Sequence, residues 1–117
     1  MRALMLLKMS EQVGEPPEAL YAAMDETIKD ISKTVTIVDT NGLLPTAEAA
    51  TKIRVTAGRT TVLDGPFAES RELVGGFALV ECDTYEQAVE AASKIVKVHT
   101  DHWPTWEGEA EVRQVMG

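Results

Sequence analysis

Two stretches of this sequence carry the side chains that could do chemistry. The first runs Asp64-Gly65-Pro66-Phe67-Ala68-Glu69-Ser70-Arg71. A carboxylate at Asp64 could act as a general base or anchor a ligand. Its alternative role is an Asx-turn, in which the side chain caps the following backbone, and the adjoining Gly65 and Pro66 favour that. Glu69 and Arg71 place a base and a cation on the same connector, where they could hold a small acid or polarise a carbonyl. A solvated surface pair is the plainer reading, because exposed ion pairs are common and weak.

The second stretch runs His99-Thr100-Asp101-His102-Trp103-Pro104-Thr105-Trp106. His-x-x-His spacing can put two imidazoles on one side of a helical turn, with Asp101 or Glu107 adding an oxygen. A metal site needs three or four convergent ligands and no second Cys/His cluster exists, so no metal is expected. His102 is the candidate proton carrier, since an unshifted imidazole titrates near neutrality. Asp64 and His102 are thus the candidate catalytic residues. Both tryptophans lie in one segment of a chain with two Trp, two Tyr and two Phe. So much aromatic area is expected to pack on the core, on a partner or as the wall of a pocket. Trp103, Trp106, Phe67, Glu69 and Arg71 are the candidate ligand contacts, with Phe67 and Phe77 otherwise in the core.

Other chemistries are disfavoured. The single Cys82 ends an apolar run between Glu81 and Asp83. Acidic neighbours raise a thiol's pKa, so a buried small hydrophobe is expected there instead of a nucleophile. One cysteine permits no internal disulfide, which fits a reducing compartment. Gly75-Gly76 opens a strand and lacks the helix a phosphate loop needs. Net charge is −8 and no basic run occurs, which argues against nucleic acid and anionic membranes as partners. The apolar opening Ala3–Leu7 is ended by Lys8 with no cleavage site after it, and no apolar run is long enough to span a bilayer. A cytoplasmic protein is expected.

A chain of 117 residues, 44% apolar, is expected to form one domain over residues 1–117. Ala3–Met9 is nearly continuous apolar sequence, the pattern of a strand buried on both faces. Pro17 and Glu18 suit the start of a helix. Leu20, Met24, Ile28, Ile31, Val35 and Val38 recur at helical spacing, which predicts one helix running on to Asn41-Gly42. The β-branched run Thr34–Val38 is its weak end. Pro45 limits Leu43–Ala50 to an edge or irregular strand. Thr51–Thr56 and Thr60–Leu63 form a hairpin. Ala57 suits positive φ poorly, so a loop longer than two residues is expected.

Phe77–Val80 is a second strand apolar on both faces. Thr84-x-x-Gln87 is a capping box for a second helix, with Asp83-x-x-Glu86 as its alternative. That helix is expected to face inward through Tyr85, Ala88, Val89, Ala92, Ile95 and Val96. His99–Gly108 is expected to be a loop, and Glu111–Val115 the last strand. Two helices can cover only one face of such a sheet. With two strands apolar on both faces, the other face needs a cover, and a second copy packed sheet to sheet is the simplest.

The block Asp64-Gly65-Pro66-Phe67-Ala68-Glu69 followed by Gly75-Gly76-Phe77 resembles the DGPF-type, YCII-related proteins. Similarity extends to the apolar first strand, Gly42-Leu43-Leu44-Pro45 and Asp83-Thr84-Tyr85-Glu86-Gln87-Ala88. The resemblance implies an α+β, ferredoxin-like βαββαβ-type domain with an extra hairpin. Its antiparallel sheet would carry two helices on one face and dimerise as an α/β barrel. It implies a bacterial family of largely uncharacterised function. Some relatives carry a His–Asp pair with the His early in the first helix, whereas here Pro16–Tyr21 contains no His.

Two functions are compatible with these residues. One is a small homodimer binding a small molecule or protein partner at the sheet or dimer cleft. The other is a cofactor-free lyase or isomerase acting on a small cyclic or aromatic acid. The second needs Asp64, a histidine and Arg54 or Arg71 to converge on one closed pocket.

Overall fold

The computed structural model describes residues 1–67 and 73–117. Its elements are β1 (Arg2–Met9), α1 (Glu18–Ile31), β2 (Thr36–Gly42), β3 (Thr51–Thr56), β4 (Arg59–Asp64), β5 (Leu73–Glu81), α2 (Tyr85–His102) and β6 (Gly108–Gln114), with a 3₁₀ turn at Glu11–Val13. A four-stranded antiparallel sheet has the order β2-β5-β1-β6, while β3 and β4 pair separately. With the hairpin set aside, this is the ferredoxin-like α+β order, and both helices lie on one face.

Alternation along the central strands decides which face meets the helices. Ala3 and Met5 on β1 stand beside Val80 and Ala78 on β5. All four are buried in one core with Ile31 of α1 and Ala88, Ala91, Ala92 and Ile95 of α2. Successive strand residues point to opposite faces, so Leu4, Leu6, Phe77 and Leu79 lie on the other side. That face is edged by charge: Lys8 pairs with Glu111 at 2.7 Å and Arg2 with Glu81 at 2.9 Å. Lys8 donates to the Glu111 carboxylate and holds its pKa below the ordinary value.

The first helix ends earlier than its apolar spacing predicts. It stops at Ile31, and Thr36–Gly42 is an edge strand. The Ser32 hydroxyl donates to the Ile28 carbonyl and the Thr34 hydroxyl to Ile31, beside the backbone N–H groups of Ser32 and Val35 that the same two carbonyls accept in the closing turn. Beyond them, β-branched Thr36 and Ile37 pair with β5, where their stiff side chains fit a pleated surface, and Val38 is the extra residue of a bulge. Val35 continued the helical spacing only by coincidence. It is buried as the chain enters the sheet, while Val38 is 43% exposed.

Leu43–Ala50 forms no strand. The hairpin turn is tighter than expected: Thr56 pairs with Arg59 across only Ala57 and Gly58, with φ of 50° and 76°. Two positive φ angles match the twist of the flanking strands, and here twist outweighs Ala57's poor fit. The second helix has the predicted Thr84–Gln87 capping box. It continues through His102, so both histidines are helical and not in a loop. Tyr85 and Val89, expected inward, are exposed. Cys82 is buried in the core as expected.

Ile31 is fully buried where α1 meets the sheet. Ile31→Ala is expected to cost about 2–5 kcal/mol, measured by urea unfolding, because little around it can collapse.

Candidate functional site

The inner faces of α1 and the sheet do not close on each other. Between them lies a cleft of about 560 Å³. Its cause is a shortage of side chain on the sheet. Gly76 and Ala78 of β5, with Thr40 and Gly42 of β2, face α1 there. Leu20, Met24 and Ile28 of α1 form the opposite wall, and Met5 and Leu7 of β1 the floor. Leu43, Leu44 and Pro45 line the rim.

Two strand irregularities set this lining. Between Ile37 and Asp39 the pairing of β2 slips by one residue. Asp39 therefore stands opposite Leu79 on the far face, and Thr40 opposite Ala78 in the cleft. Without the bulge, alternation would turn the Asp39 carboxylate inward. The Thr40 hydroxyl donates to the Phe77 carbonyl at 2.9 Å and is satisfied. A second slip, between Leu7 and Lys8, leaves Gly75 extra on β5, close against Met9.

His99 is the polar group deep in the cleft. It is 5% exposed, and Trp103 and Trp106 flank its ring at centroid distances of 6.4 and 5.2 Å. A carbonyl only accepts, so the 2.7 Å contact with the Ile95 oxygen places the proton on Nδ1 and leaves Nε2 the acceptor. Burial pushes the imidazole's pKa below 6.5, against a smaller opposite effect of the Ile95 bond. Trp103 and Trp106 pack with Leu20 in a second small core. The indole N–H of Trp106 is buried with no hydrogen-bond partner.

Asp64 does not line this cleft. It ends β4, where its carboxylate accepts from the Thr51 hydroxyl at 3.0 Å across the hairpin, instead of capping its own turn. His102 is exposed and borders a shallow polar groove between α1 and α2, beside Asp30, Lys94 and Asp101. Asp64 and His102 share neither cavity. Arg54 is exposed on the hairpin. Phe67 lies under the Lys52 ammonium, 4.3 Å from the ring centroid. Glu69 and Arg71 lie outside the described residues. Of the described sequence candidates for catalysis and ligand binding, Trp103 lines the cleft, with Trp106 tilted against His99.

The Asp-Gly-Pro-Phe turn acts on the cleft rim through Thr46. Its backbone N–H at Phe67 donates to the Thr46 hydroxyl oxygen at 3.1 Å, and a Cβ at Gly65 would overlap the Thr46 carbonyl. Thr46 in turn gives its backbone N–H and its hydroxyl to Glu11. The hairpin base, the Leu43–Pro45 rim and the 3₁₀ turn are thereby tied together.

A family model for the YCII-related domain matches residues 1–116. The chain belongs to the YCII-related family. It is also 48% identical over 50 residues to an uncharacterised protein of Rhizobium meliloti (strain 1021), a match covering 43% of this chain. The chain spans 40% of the length of that curated relative. Among the described residues, no helix is long and apolar enough to cross a membrane, and no group of three or more His, Cys, Asp or Glu is arranged to hold a metal ion.

The sequence offered His99 only as a possible metal ligand beside His102, because its segment read as a loop. The signal that would have found it is periodic: Ala88, Ala92, Ile95 and His99 continue one helical stripe at spacings of four, three and four.

Burial of His99 has a measurable consequence. Below pH 6.5 the unfolded chain takes up a proton that the folded imidazole resists. The unfolded state then binds more protons, so stability is full above that pH and declines as pH falls through it. His99→Phe is expected to flatten the dependence of the urea midpoint on pH between about 7.5 and 5.5.

Proposed function

We propose that this protein is a small-molecule-binding homodimer whose ligand site is the cleft between α1 and the sheet. The observation that carries the reading is the cleft itself. Its volume of about 560 Å³, mostly apolar walls and few polar groups are the features of a small-ligand pocket. The walls come from rigid elements, with α1 on one side and β5 and β1 on the other, so the site needs no loop to fold around a ligand.

The dimer rests on the opposite sheet face. Leu4, Leu6, Phe77 and Leu79 form an apolar strip there, covered by no helix and edged by the charged residues of β1, β5 and β6. A two-fold copy packed on this strip would bury it and complete a two-sheet barrel. Dimer face and ligand face are then the two sides of the same two strands.

The cleft is tested with N-phenyl-1-naphthylamine, an uncharged reporter whose emission rises in a dry site. Emission is expected to rise with the wild type. In Met24→Trp, where the indole fills the cleft from α1, the apparent affinity should fall at least about tenfold with the thermal midpoint little changed. Equal binding by both proteins would move the site elsewhere. The dimer is tested by light scattering on the eluting protein. The wild type is expected at twice the 12.7 kDa chain mass and Leu4→Asp at the chain mass. A wild-type monomer would overturn the assembly.

A further inference from the structure

We infer that the cleft selects uncharged ring compounds bearing a hydroxyl group, phenols above all, and that the hydroxyl donates its hydrogen bond to Nε2 of His99. This rests on the reading of the cleft as a ligand site and adds to it the class of ligand.

Three observations converge on that class. The first is charge. Among the described residues, those lining the cleft include the carboxylates Glu11 and Asp25 and no Lys or Arg. A small acid entering would meet like charge at the mouth and no counter-charge inside, and an unpaired carboxylate is costly to bury. The whole chain, at −8, adds to that repulsion.

The second observation is the hydrogen-bond polarity of His99. Its Nδ1–H is committed to the Ile95 carbonyl, so the ring offers an acceptor and no further donor. Nε2 has no hydrogen-bond partner among the described residues, yet it is not among the side-chain atoms sealed from solvent without one. The imidazole lines the cleft, so that acceptor is open to a ligand there. An acceptor recruits an O–H and rejects a carboxylate oxygen. Desolvation keeps the ring neutral near pH 7, which preserves this polarity.

The third is that the other polar side chains lining the cleft are either already used or, as with Tyr21, Asp25 and Asn41, exposed. Thr40 donates to Phe77, the Ser10 hydroxyl oxygen accepts from Gln12, and Glu11 is held by Thr46. His99 is left as the open acceptor beside apolar Ile95 and Trp103, where a flat ring can pack.

The test compares three probes of one ring system: naphthalene, 2-naphthol and 2-naphthoate. Each displaces the uncharged N-phenyl-1-naphthylamine from the wild type and from His99→Phe near pH 7. With the wild type, 2-naphthol is expected to bind about tenfold more tightly than naphthalene, the value of one added hydrogen bond, and 2-naphthoate more weakly than either. In His99→Phe the advantage of 2-naphthol over naphthalene should vanish while naphthalene itself still binds. A preference for 2-naphthoate, or equal affinity for naphthol and naphthalene in the wild type, overturns the proposed class and leaves the cleft as a ligand site. Persistence of the naphthol advantage in His99→Phe overturns the role of His99. If Met24→Trp abolishes binding of none of the probes, the cleft reading itself fails and the ligand class falls with it.

Discussion

The register between β1 and β5 is the constraint on which this structure depends. Ala3, Met5 and Leu7 alternate with Leu4, Leu6 and Lys8, and β5 alternates in step. A slip of one residue would exchange the two faces of the central strands. Met5 would leave the core, Leu4 and Leu6 would crowd the space beneath α1, and the cleft would be filled. Two bulges hold the useful arrangement. One removes Gly75 from the ladder, and the other turns Asp39 outward so that Thr40, and not a carboxylate, meets the cleft.

Much of the fold was legible because local chemistry and tertiary environment agreed. Thr84 and Gln87 make a capping box whose two bonds are local, so the start of α2 could be read directly. The apolar run of β1 meant a central strand. Reading failed where two periods overlapped. Val35 and Val38 extended a helical spacing that Ser32 and Thr34 had already ended, and only pairing with β5 resolves the conflict. The turn at Ala57-Gly58 failed for a related reason, since strand twist outside the turn decides its type. At the site, Trp103 and Trp106 were legible as buried aromatics. The cleft was not, because a cavity is made by residues that are small, and small residues leave no periodic trace. Gly76 and Ala78 read only as part of an apolar strand.

The Asp-Gly-Pro-Phe block shows how a sequence signature can act at a distance from the site it serves. Its most reactive member, Asp64, is engaged by Thr51 within the hairpin. Its effect on the cleft passes through Gly65 and Phe67 to Thr46, and from Thr46 to Glu11. The pattern needs glycine at 65 because the Thr46 backbone occupies the space of a side chain. Positions 64–67 thus fix where the Leu43–Pro45 rim sits relative to the 3₁₀ turn, which is a positioning task.

The emptiness of the cleft is itself an argument about function. A chain selected only for stability would place larger apolar side chains where Gly76, Ala78 and Thr40 face α1, since filled cores are worth several kcal/mol per large residue. Helix α1 has supplied its share with Leu20, Met24 and Ile28, and α2 with Ile95. The small residues Gly76, Ala78 and Thr40 lie on β5 and β2. On the β1 and β6 side, Ala3 and Val112 pack in the core with α2, while Met5 and Ala110 border both the core and the cleft. A cleft lined on the sheet by such small residues, with the imidazole acceptor of His99 among its walls, is what the proposed ligand site requires.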